Sequence, residues 1–168
     1  MRSLLLTLAL AAAAVAQQMP NVEAQKEAMK KLSFLVGTWK GPATAYLQSG
    51  PVQLTQTEEV QYKLGGLVLL VEGTGRMADG TVRFNALATI SYDEAAKVYR
   101  FRAHNDGRFI DTELKVSDKG FEWGFAAGPG RVTFTMRLNE KGQWAEAGEF
   151  TMAGQPPRKS VELLVTKQ

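Results

Sequence analysis

The sequence predicts an all-β fold: a ten-stranded antiparallel up-and-down barrel with one N-terminal capping helix. Three observations carry this. From Val60 onward, short turn signals alternate with stretches of about eight to eleven residues in which apolar side chains recur at every second position. Pairing the flanks across each turn keeps the apolar residues on one side. And ten consecutive strands joined by short turns either leave an open sheet with two long edges or close, and closure removes the edges while sealing the apolar face inside.

The N-terminal segment is set apart from the fold. Arg2 precedes an almost wholly apolar run from Leu4 to Val15, and Ala14-Val15-Ala16 has the form of a signal-peptide cleavage site. Residues 1–16 are therefore expected to be a signal peptide, 17–36 a leader and capping helix, and 37–168 the barrel domain. The apolar run is short for a membrane span, so no stable membrane insertion is expected. An export signal with no cysteine points to a periplasmic or extracellular protein, and it excludes disulfides, thiolate metal sites and cysteine nucleophiles. Without Arg2, 19 basic residues stand against 17 acidic ones, intermixed along the chain. That pattern offers no basic stripe for nucleic acid.

Asn21 is positioned to cap a helix over about 22–34, with Ala24, Ala28 and Leu32 on one side beside Met29 and Leu35. Such a helix suits closing one end of a barrel. After Gly37 the period becomes two, and strands are expected at 38–47, 53–64, 67–77, 82–92, 98–105, 108–116, 121–126, 131–138, 143–152 and 160–167. Asp106-Gly107 gives the sharpest register, pairing Asn105 with Arg108, Ala103 with Ile110, Phe101 with Thr112 and Tyr99 with Leu114. The other face then carries Arg102 against Asp111 and Arg100 against Glu113. Gly65-Gly66 pairs Tyr62 with Leu69. Asp79-Gly80 pairs Gly73 with Ala86 but sets Arg76 opposite Arg83. Ser117 to Gly120 pairs Leu114 with Trp123, and Gly128-Pro129-Gly130 pairs Phe125 with Val132.

The segment Phe34-Leu35-Val36-Gly37-Thr38-Trp39-Lys40-Gly41, placed where a helix gives way to the first strand, resembles the G-x-W motif that opens the calycin barrels, the lipocalins and fatty-acid-binding proteins. With its helix and ten strands the chain looks most like a bacterial family of exported proteins of unknown function and the nitrobindin-like haem-binding barrels. The nitrobindin-like resemblance implies haem held by a late histidine. The only histidine here is His104, in the middle strands and on the Arg100/Arg102 face. The expectation is therefore no cofactor and no haem.

Other chemistries find little purchase. No G-x-S-x-G elbow occurs, no histidine cluster could hold a metal, and neither Gly73-Thr74-Gly75 nor Gly128-Pro129-Gly130 is a phosphate loop. The inner face is more informative. Small residues at Gly73, Gly75, Ala86, Ala88, Ala103 and Gly148 face large aromatics, which either fill a tapered barrel or leave space in one wider than its eight-stranded relatives. The cavity candidates are Tyr62, Val71, Ala86, Ala88, Tyr99, Phe101, Ala103, Thr112, Trp123, Phe134 and Glu146. Glu146 points inward if Trp144, Phe150 and Met152 do, and that register sets Lys167 opposite it; a one-residue change in the 139–142 turn would reverse it. The favoured function is an exported, non-enzymatic carrier or sensor of a small apolar molecule. The alternatives are a filled-barrel accessory protein and a barrel enzyme of isomerase or cyclase type.

Overall fold

The computed structural model describes residues 20–168, so the expected signal peptide lies outside the described residues. Helix α1, Val22–Lys30, is capped by Asn21, whose side chain accepts the Ala24 N–H at 3.0 Å. The single helix expected over 22–34 is instead two pieces, because Ser33–Leu35 forms a separate 3₁₀ turn. Met29, Leu32 and Leu35 are all fully buried. Their spacing of three matches the three residues per turn of a 3₁₀ segment better than the 3.6 of an α-helix.

Ten strands follow: β1 Gly37–Leu47, β2 Gly50–Lys63, β3 Val68–Arg76, β4 Val82–Asp93, β5 Val98–Asn105, β6 Arg108–Ser117, β7 Gly120–Ala127, β8 Gly130–Leu138, β9 Trp144–Thr151 and β10 Arg158–Lys167. Each pairs antiparallel with its neighbours in sequence, and β1 pairs with β10 to close the barrel. The Asp106-Gly107 hairpin has the expected register throughout. Both turn residues have positive φ, 47° and 74°, as a type I′ turn requires. Its outer face carries Arg102 on Asp111 at 3.0 Å and Arg100 bridging Asp93 and Glu113.

Three local departures have physical causes. The Gly65-Gly66 turn is longer than two residues: the β2–β3 ladder starts at Lys63 with Val68, leaving Leu64 to Leu67 as the connection. Beyond Asp79-Gly80, Arg76 faces Val82 across a bulge that makes Arg83 the extra residue, so the two like charges never oppose each other. The β6–β7 ladder holds only Lys115–Glu122, Val116–Phe121 and Ser117–Gly120. Leu114 and Trp123 are not paired, and the two strands diverge from there toward the far end.

The interior is graded along the barrel axis. At the α1 end, Trp39, Leu69, Ile90, Met136 and Val165 join Met29, Leu32 and Leu35 in a sealed floor. Tyr62 and Tyr99 donate their hydroxyls to the Met29 and Ala28 carbonyls, both at 2.7 Å, and Trp39 Nε1 donates to the Leu35 carbonyl at 2.7 Å. These bonds tie the last turn of α1 and the 3₁₀ turn to the barrel wall, adding to the backbone N–H groups of Lys31 and Leu32 that the Ala28 and Met29 carbonyls already accept. At the other end, inner-face residues Leu54, Ile110, Phe125, Val132, Phe150 and Val161 are only half-buried, and Phe84 is exposed. The barrel is packed at the α1 end and less buried at the opposite end, its mouth.

Candidate functional site

One layer above the floor, two carboxyl groups face the lumen. Strand alternation on β2 puts Leu54, Gln56, Glu58, Val60 and Tyr62 on the inner face. Glu58 lies between Trp39 on β1 and Gly73 on β3, and is only 7% exposed. Gln56 Nε2 donates to Glu58 Oε1 at 2.7 Å. A Cβ at Gly73 would sit 2.9 Å from Glu58 Oε2 and 3.2 Å from Phe84, and one at Gly75 would sit 2.7 Å from Gln56 Oε1. The paired glycines therefore clear room for this amide and acid. Part of the space that the small residues were expected to leave for a ligand is occupied by Gln56 and Glu58.

Glu146 stands on β9 between Met136 and Leu163, with Trp144 and Gly148 on the same face. Trp144 Nε1 donates to Glu146 Oε2 at 2.9 Å. Lys167 is not its partner. It pairs with Trp39 at the floor end, with its Nζ 5.3 Å from the Trp39 ring centroid. Lys167 lies four residues along β10 from Leu163, a displacement of about 13 Å. The cause is a tight connection, closed by Gln155 N–H to the Met152 carbonyl, which slides β10 against β9. Met152 itself falls beyond the end of β9.

Burial therefore acts on both acids with no cation to offset it. Burial pushes the Glu58 carboxyl up to about 8, against the Gln56 hydrogen bond that lowers it, while the charge of Glu146 raises it further. Burial likewise pushes Glu146 up to about 7, and the Trp144 and Trp123 indoles hold it down. Both carboxyls therefore keep their protons to higher pH than exposed glutamates do, and the charge of Glu146 strengthens that hold on Glu58.

An aromatic wall adjoins Glu146. Trp123 stacks on Phe134 at 4.3 Å with planes 7° apart, and meets Phe101 at 4.4 Å across β6. Thr112, between them in sequence order, donates its hydroxyl to the Gly124 carbonyl at 3.0 Å, spanning the split between β6 and β7. Ala88, Ala103 and Phe101 are buried on the facing wall, while Ala86 and Val71 are half-buried. Of the predicted residues, Phe101, Trp123, Phe134 and Glu146 come together. Tyr62 and Tyr99 are committed to α1 at the floor. Gln56, Glu58 and Ser160 were not anticipated. For the first two the signal was present: Val60 and Tyr62 read as inward, and the same alternation two and four residues back gives Glu58 and Gln56. Ser160 is the extra residue of a bulge on β10, and its buried Oγ has no hydrogen-bond partner.

His104 is exposed on the outer wall, its ring 5.0 Å from that of Phe109. A haem held by histidine does not fit this lumen, since the chain's single histidine lies on the wrong side of the sheet. Among the described residues, two clefts lie outside the lumen: about 500 Å³ beside α1, and about 430 Å³ around Leu87, His104 and Phe109. No group of three or more metal-ligating side chains occurs among the described residues, and no described helix is long and apolar enough to cross a membrane.

Fold and site together define a helix-floored, ten-stranded closed barrel with two acids in its lumen. The chain belongs to the family described as protein of unknown function (DUF1579), whose model matches residues 24–110. That match takes in α1 from Ala24 onward, the Gly37–Gly41 segment and Glu58, and stops before Trp123 and Glu146. The fold is similar to the crystal structure of Rv2717c from M. tuberculosis, with a TM-score of 0.64 and 14% identity over 84% of this chain and 97% of that one. No curated protein matches.

Proposed function

We propose that this protein is an exported binding cup, a carrier or sensor that takes a small molecule with an apolar body through the mouth opposite α1. The body rests on Ala88, Phe101, Ala103, Trp123 and Phe134, and the polar end reaches the acids below. The observation that carries this reading is the grading of the inner face, sealed at the floor and half-buried at the mouth, with polar groups placed at the boundary. Binding sites of this kind join an apolar lining to a few fixed polar groups. Export rests on the N-terminal sequence, and sequencing of the secreted protein should start at or near Gln17.

The test is titration with the neutral fluorescent probe N-phenyl-1-naphthylamine. The wild type should bind it, and Ala88→Phe should abolish binding with the fold intact. In a filled accessory barrel the same substitution would instead lower stability by about 1–3 kcal/mol through overpacking. Probe binding unchanged by Ala88→Phe, with a clear drop in melting temperature, refutes the cup.

The acid pair favours a second reading, a proton-transferring enzyme of isomerase or cyclase type. A carboxyl that titrates near neutrality suits general acid–base work. That reading requires Glu146→Gln to stop conversion of a bound guest while leaving its binding in place; the carrier reading requires no conversion at all.

A further inference from the structure

We propose that the cup selects organic ammonium ions: a protonated amine seated between Glu58 and Glu146, with its hydrocarbon or aryl part against Phe101, Trp123 and Phe134. This inference rests on the cup reading and names the chemistry of its guest. Four observations support it. Glu58 is more than nine-tenths buried, and among the described residues no hydrogen bond reaches its Oε2. Gln56 and Trp144 give the acids only neutral donors. The cross-strand neighbours of Glu146 are Met136 and Leu163, and those of Glu58 are Trp39 and Gly73, so the strands packed against the pair supply no cation. The nearest basic residue in the β1–β10 ladder, Lys167, is seated on Trp39 at the floor. Among the described residues, the acid pair thus has no cationic partner on the strands beside it.

A buried carboxylate is costly without a charge partner and favourable with one that is hydrogen-bonded. An ammonium group brings both the charge and the donors. A neutral guest offers only the donors, and a carboxylate guest adds a like charge to the pair. The site therefore ranks amine above alcohol above acid, the reverse of a barrel built to hold fatty acids. Binding an ammonium also expels a proton from the pair, because a positive guest favours the ionised acids.

Calorimetric titration of the full chain near pH 7.5 tests this with three guests of one shape: 2-naphthylmethylamine, 2-naphthylmethanol and 2-naphthoate. The amine is expected to bind about tenfold or more tighter than the alcohol, as a charge-assisted contact warrants, and the naphthoate weakest. Repeating the amine titration in buffers of different ionisation heat should show proton release. In Glu58→Gln and Glu146→Gln the preference for amine over alcohol should fall severalfold while the alcohol still binds, with circular dichroism confirming the fold. Equal affinity for amine and alcohol, or preference for the naphthoate, overturns the inference and leaves the cup standing. Folded Gln variants that keep the full amine preference also overturn it. If none of the three binds, the cup reading fails with it. Should the variants not fold, the wild-type ranking and proton release decide alone.

Discussion

Replacing Glu58 by Gln removes one buried carboxyl while keeping its shape, and so isolates the cost of ionising that group inside the barrel. Burial lifts the Glu58 carboxyl from an ordinary 4.5 to about 8. The unfolded chain releases this proton near the ordinary value, so between those two values the native state holds more protons than the unfolded state. Stability conferred by the neutral acid is then fully present below 4.5 and is lost as pH rises through 8. At about 1.4 kcal/mol per pKa unit the whole span is worth roughly 5 kcal/mol. Water entering from the mouth reduces this, whereas Glu146, itself lifted to about 7, adds a loss of the same sign, and we expect wild-type stability to fall by at least about 2–4 kcal/mol between pH 5 and 9. Asp79, Asp93 and Glu162 are held below their ordinary values by hydrogen bonds, so their effects fall at more acidic pH and outside this window. Urea unfolding followed by tryptophan fluorescence reads the difference. Glu58→Gln should match the wild type near pH 5 and exceed it by about 2 kcal/mol or more at pH 9. A wild type equally stable at both pH values, or a variant that tracks it in parallel, would refute the reasoning.

The remaining predictions concern packing and the outer face. Tyr62→Phe and Tyr99→Phe each remove a hydrogen bond to an α1 carbonyl and should cost about 1 kcal/mol in denaturant unfolding. Ala103→Asp puts a charge into the core and should cost several kcal/mol, whereas Arg102→Ala breaks only an exposed pair and should cost at most about 1 kcal/mol. Gly73→Ala drives a methyl against the Glu58 carboxyl and Phe84 and should cost about 1–3 kcal/mol, less in a Glu58→Ala background. Haem titration should give no sharp Soret shift; one abolished by His104→Ala would show that the histidine is reached from within.

Much of the architecture was legible because strand alternation and turn chemistry act locally. Asp106-Gly107 fixes its register through two residues with positive φ, and every rung from Asn105 to Tyr99 follows. The acid pair was half legible. Glu146 stood among aromatics and attracted notice, but Glu58 lies in a run of Gln, Thr and Glu that reads as solvated when only one face of the strand is considered. Its burial is decided by Gly73 opposite it on β3 and by Phe84 on β4, a packing across strands that alternation within β2 alone does not weigh. The Lys167 pairing failed for a related reason: a bulge at Ser160 and the connection after Met152 move β10 by four residues, and while Gly154 and Pro156-Pro157 signal a turn, they do not fix its register. The β6–β7 split depends on how a closed sheet curves, and only Thr112, whose hydroxyl takes over a ladder bond, hints at it.

Selection of an ammonium guest requires that Glu58 and Glu146 both lie inside the barrel without a cationic partner. The most direct measurement is carbon NMR of the glutamate carboxyl groups across pH, with Glu58→Gln and Glu146→Gln supplying assignments. Glu58 and Glu146 should titrate near 8 and 7, well apart from the exposed glutamates, and both midpoints should move down when 2-naphthylmethylamine is bound. Midpoints for both at the ordinary value near 4.5, unmoved by the amine, would contradict the account.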